Sequence, residues 1–65
     1  MVLIGESVAL TYGKKPCRLQ IWKNHHEAYE GHVFTADSKI FSSYDQESQD
    51  VAVSVAMERA EKEGY

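Results

Sequence analysis

A chain of 65 residues has room for one domain and no second core. An apolar fraction of 43% beside 26% charged residues is globular and excludes intrinsic disorder, and the lone cysteine, Cys17, excludes an internal disulfide. Ten acidic against seven basic residues, a formal net charge of −3, weigh against the broad basic surface that non-specific nucleic-acid binding requires.

The opening stretch from Met1 to Gly5 is apolar but has no basic residues ahead of it and meets Glu6 at once, unlike a secretory signal. No apolar run approaches a membrane span, so a cytoplasmic location without membrane contact is expected.

Turn signals recur every eleven or twelve residues, at Gly13-Lys14-Lys15-Pro16, Asn24-His25-His26-Glu27 and Ala36-Asp37-Ser38-Lys39. Between them, β-branched and aromatic residues predict strands over Ser7 to Tyr12, Cys17 to Lys23, Ala28 to Thr35 and Ile40 to Tyr44. From Gln46 to Glu63 there is neither glycine nor proline, which predicts a helix capped by Asp45 and stopped by Gly64. The expected fold is α+β: an antiparallel β-meander of three to four strands with one C-terminal amphipathic helix packed on one face.

Ala52, Val53, Ala56, Met57 and Ala60 gather on one arc of that helix, opposite Ser54, Glu58, Glu61 and Lys62. Val51 and Val55 fall at the edge of the arc, where they either pack on a sheet edge or form a self-association seam. In the strands, a four-residue first loop sets Val8, Leu10 and Tyr12 on the core face with Cys17, Leu19 and Ile21. An odd second loop then brings Tyr29, Gly31 and Val33 to that face and avoids burying the Glu30 carboxylate. Continuing through the third turn adds Thr35, Ile40, Ser42 and Tyr44. The opposite face collects Arg18, Gln20, Trp22, Glu30, His32, Phe34, Phe41 and Ser43, and a slip of one residue would exchange the two faces.

The sequence carries little sign of catalysis. The adjacent His25 and His26 point apart in a turn, no His/Cys spacing fits a metal, and neither metal nor cofactor is expected. Cys17 on an apolar strand face reads as an inert thiol, and the four glycines are isolated rather than gathered in a phosphate loop. The order of strands followed by one helix is similar in architecture to plant DNA-binding domains that read the major groove with a three-stranded sheet, and to small HicB-like antitoxins. No motif of either is present, so no site residues carry over.

The expected function is a non-catalytic protein–protein interaction module, of the accessory, inhibitor or antitoxin type. It would bind an unidentified protein partner through Trp22, Phe34, Phe41, Arg18 and His32 on the leftover sheet face, or through the acidic helix. The alternative is nucleic-acid binding, with the aromatics stacking bases and Lys14, Lys15, Arg18 and Lys23 meeting phosphates. A homodimer through Val51 and Val55 would add the buried apolar surface that so short a chain lacks.

Overall fold

Three chain reversals of one kind build the sheet. Each opens on a Thr or Asn whose side-chain oxygen accepts the main-chain N–H four residues on: Lys15 to Thr11 at 3.0 Å, Ala28 to Asn24 at 3.1 Å and Lys39 to Thr35 at 3.0 Å. In each, the opening residue donates its own N–H to the carbonyl four residues on, at 2.8, 2.9 and 2.9 Å. The fourth residue is left-handed in all three: Lys14 at φ 62°, Glu27 at 60° and Ser38 at 68°. This is a type I turn followed by a bulge residue, here carried by non-glycine side chains. Thr11, Asn24 and Thr35 are buried because their oxygens are used inside the turns.

The computed structural model describes all 65 residues, Met1–Tyr65. The turns link β1 (Val2–Leu10), β2 (Pro16–Lys23), β3 (Tyr29–Thr35) and β4 (Ile40–Gln46) into one antiparallel sheet in the order β1-β2-β3-β4, followed by α1 (Gln49–Lys62). The α+β meander with a C-terminal helix is therefore the fold. Each loop spans an odd number of residues, five, between the closing pairs Leu10–Pro16, Lys23–Tyr29 and Phe34–Ile40.

That parity corrects two of the expected faces. Ala9, not Tyr12, pairs with Cys17, so Val8 and Leu10 leave the core face and stand exposed, while Tyr12 lies exposed in the turn. At the other edge Phe41 pairs with Val33 and packs against the core, which turns Ile40, Ser42 and Tyr44 outward. The expected faces of β2 and β3 hold: Cys17, Leu19 and Val33 are core, and Ile21 and Thr35 share their side of the register.

The helix seats closely because its inner positions are alanines. Ala52, Ala56 and Ala60 are fully buried, and Val53, Met57, Phe41 and Ala9 pack around Cys17, Leu19 and Val33. At Gly31 the approach is closest: an added Cβ would sit 2.5 Å from the Ala52 carbonyl oxygen. Ser43 joins the layers there, taking the Gly31 N–H at 3.0 Å and donating its hydroxyl to that carbonyl at 2.6 Å. The adjacent register shift, Tyr29 to Gln46 and then Gly31 to Ser43, is a bulge in β4 with Asp45 left-handed at φ 55°.

The bulge uses Asp45, whose carboxylate accepts Asn24 Nδ2 at 2.7 Å, so the helix begins later than expected. Ser48 is the N-cap, accepting the Val51 N–H at 3.2 Å. At the other end Gly64, at φ 90°, closes a Schellman motif: its N–H meets the Glu61 carbonyl at 2.9 Å and the Tyr65 N–H meets Ala60 at 3.0 Å.

The helix lies over β3, β4 and part of β2, and does not reach β1. No helix is long and apolar enough to cross a membrane.

Candidate functional site

With one helix on one side, the other sheet face is open, and its side chains fall into rows that follow the register. The first row crosses all four strands as Val8, Arg18, Phe34 and Ile40. The second runs Glu6, Gln20, His32 and Ser42, and the third contains Leu3, Trp22 and Glu30.

The second and third rows satisfy one another. Gln20 donates to Glu6, and Trp22 donates its indole N–H to Gln20 at 3.0 Å. On the β3–β4 side, Ser42 Oγ meets His32 Nδ1 at 2.7 Å, His32 Nε2 meets Glu30 Oε1 at 3.1 Å, and Asn24 Nδ2 donates to Glu30 Oε2 at 3.2 Å. Tyr44 packs edge-on to His32 with ring centroids 5.7 Å apart. The odd loop does not keep Glu30 in water as expected: the carboxylate is buried on the open face at 8% exposure, with Asn24 and His32 as its partners. A carboxylate can leave water only with such partners.

The first row has no such closure. Val8 is 82% exposed and Ile40 59%, with Leu10 beside them at 58%. Arg18 lays its guanidinium over the Phe34 ring, 5.0 Å from the centroid, and its Nε stands 3.5 Å from Glu6, long for a hydrogen bond. Around this row lies a shallow groove of about 530 Å³, floored by Val8, Phe34 and Ile40 and flanked by Arg18 and Lys39. No carboxylate lines it.

Of the residues expected to meet a partner, Arg18, Trp22, His32 and Phe34 share this open face. Phe41 does not: it lies beneath the helix, 5.5 Å from the Tyr65 ring. Val8, Leu10, Ile40 and Tyr44 join the face instead, a result of odd loop parity at the first and third turns. Val51 and Val55 lie two turns and one turn before Arg59, whose guanidinium reaches the Ser42 carbonyl of β4 at 2.5 Å. Val51 is exposed and Val55 half-buried on that flank.

The basic residues divide between the ends of the sheet. Lys23 sits by the β2–β3 turn, where its hydrogen bond to Glu27 at 2.9 Å holds its ammonium above the usual lysine range. Lys14, Lys15 and Lys39 belong to the turns at the opposite end. Lys15 donates to the Gly64 carbonyl at 2.9 Å and lies over the Tyr65 ring.

His25 and His26 are exposed in the β2–β3 turn, and no three His, Cys, Asp or Glu side chains gather as a metal ion would need. Cys17 is buried in the core, and burial pushes its thiol up, partly offset by a backbone hydrogen bond at Ala9.

Comparison with family models, with curated proteins and with solved structures finds no match for the chain.

Proposed function

We propose that the chain is a non-catalytic interaction module that takes a protein partner on the open face of its sheet, as accessory, inhibitor and antitoxin proteins do. The observation that carries the reading is the contrast between rows. The polar rows are hydrogen-bonded among themselves, whereas Val8 and Ile40 stand exposed at either side of a half-buried Phe34 that only the Arg18 guanidinium covers. Apolar and aromatic side chains next to Arg are the composition of interface centres.

The test is capture from lysate with wild-type bait and with Phe34→Ala/Ile40→Ala bait, each split into nuclease-treated and untreated halves. A protein retained by the wild type in both halves and lost by the double variant is the expected result. A partner indifferent to both substitutions overturns the sheet-face reading. Companions that vanish on nuclease treatment would instead assign the face to nucleic acid, which Lys14, Lys15, Arg18 and Lys39 at one end would serve. Self-association through Val51 and Val55 makes a separate claim: Val55→Glu should convert a dimer into a folded monomer.

The hydrogen-bonded chain of Ser42, His32 and Glu30 has the order of nucleophile, base and orienting acid. Neither concavity of the surface is lined by any of the three, so a substrate would have no cleft in which to be held. Hydrolysis of a p-nitrophenyl ester that disappears in Ser42→Ala would overturn the non-catalytic reading.

A further inference from the structure

The first row has a chemical order that specifies its occupant more closely than an apolar patch would. Read across the sheet, it runs apolar (Val8), cationic (Arg18), aromatic (Phe34), apolar (Ile40). Strands lie about 4.8 Å apart, so the row covers about 14 Å from Val8 to Ile40. The guanidinium of Arg18 leans over Phe34, which places the positive charge near the middle of the row.

An extended peptide places side chains on one face every second residue, about 6.8 Å apart, so residues i, i+2 and i+4 also cover about 14 Å. Laid across the strands, such a segment sets i over Val8, i+2 over the guanidinium and i+4 over Ile40. Charge selects the middle residue. Arg18 lines the groove and no carboxylate does, while its ion pair with Glu6 is long, at 3.5 Å between exposed side chains, and Arg18 donates no close hydrogen bond. A carboxylate at i+2 would reach Arg18 with its aliphatic neighbours covering the apolar ends.

Resting on the interaction-module reading, we propose that this row recognises an extended protein segment of the pattern apolar–x–acidic–x–apolar. A basic or uncharged middle residue is rejected, because it would cover the Arg18 charge without supplying a partner.

The test uses the whole chain, labelled with ¹⁵N, and three blocked synthetic peptides. The first reads leucine, serine, glutamate, serine, leucine. The second replaces glutamate by lysine, and the third replaces both leucines by serine. The first peptide should shift the amides of Val8, Arg18, Phe34 and Ile40, and bind at least ten-fold more tightly than either control. Arg18→Glu/Lys39→Glu, both at exposed positions, should reverse the preference towards the lysine peptide.

Equal binding of the glutamate and lysine peptides would overturn the acidic specificity while leaving the sheet-face reading standing. Shifts confined to the helix, or none while a lysate partner still depends on Phe34, would overturn the proposed pattern. A lysate partner indifferent to Phe34→Ala/Ile40→Ala would remove both proposals. Concentration-dependent shifts of the row without peptide would assign it to a second copy of the chain, and shifts on adding oligothymidylate would assign it to nucleic acid; either overturns the peptide proposal.

Discussion

Tyr65 donates its phenolic hydroxyl to the Asp37 carboxylate across 28 residues of sequence, joining the residue beyond the helix to the β3–β4 turn. The same residue packs its ring on Phe41, lies beneath the ammonium groups of Lys15 and Lys39, and accepts the Gly13 N–H on its main-chain oxygen. Hydrogen bonds from Thr35 and Tyr65 hold the Asp37 carboxyl below the usual carboxylate range. The bond to Asp37 holds the Tyr65 hydroxyl above the usual phenol range.

Both shifts give this contact a pH window. Asp37, depressed on folding, contributes stability that is present above the ordinary carboxylate value and lost as pH falls through its folded value. Tyr65, raised on folding, contributes stability that is present below the ordinary phenol value and lost as pH rises through its own folded value. Tyr65→Phe should therefore lower the melting temperature at neutral pH. Its gap from wild type should narrow below about pH 4 and above about pH 10. Thermal melts of both proteins across that range check this; a gap constant with pH would refute it.

Phe41 and Phe34 are two phenylalanines of the same sheet with different roles. Phe41 is packed beneath the helix and Phe34 lies on the open face. Phe41→Ala should cost about 3 kcal/mol and Phe34→Ala about 1 kcal/mol or less. Urea unfolding measures both, and the reverse ranking would mean the sheet faces are exchanged.

Gly31 makes the tightest demand on the sequence. Alanine there meets a buried helix carbonyl and disturbs the Ser43 bridge, so Gly31→Ala should destabilise by about 3 kcal/mol. Gly5 has nothing within 4 Å of its added Cβ, and Gly5→Ala should be neutral or stabilising by about 0.5 kcal/mol. Denaturant midpoints of the two variants supply the comparison.

The left-handed turn residues can be improved. Ser38 adopts φ 68° without a side-chain hydrogen bond of its own, so Ser38→Gly should stabilise by about 0.5–1 kcal/mol after the added unfolded-state entropy. Thr35→Val removes the oxygen that accepts the Lys39 N–H and should cost about 1 kcal/mol. Calorimetry on both separates backbone strain from the lost hydrogen bond.

Strands β2 to β4, the helix and its alanine-lined arc were legible in the sequence because their periodicities are clean, whereas β1, expected over Ser7 to Tyr12, runs Val2–Leu10. The β2 and β3 faces were legible for a different reason: an even second turn would have buried Glu30 on the helix side. No comparable penalty marked the first and third turns, and there a four-residue loop looked as suitable as a five-residue one. The missed signal was the repeat itself: Thr11, Asn24 and Thr35 each open a five-residue reversal. Placing the same loop at all three sites turns Phe41 inward and Val8, Leu10 and Ile40 outward. The Asn24 contact of Glu30 was not legible, since Asn24 reaches Glu30 only through the turn it opens, and Asp45 reaches Asn24 only through a bulge. Ser48 displaced Asp45 as N-cap for that same reason.

The contacts of Tyr65 have a kinetic consequence. The three reversals each close over five residues, and hairpins of this size form in about 1–10 μs. The Tyr65 contacts to Thr11 and Asp37 close 54 and 28 residues, and they require the helix to be docked and the first and third turns to be in place. Formation of the sheet should therefore precede the seating of Tyr65, and its release should be the earliest step of opening. The Gly13 amide, held by the Tyr65 main-chain oxygen, is the natural reporter: it should exchange its hydrogen by local undocking, while the Leu19 and Val33 amides wait for the whole domain to open.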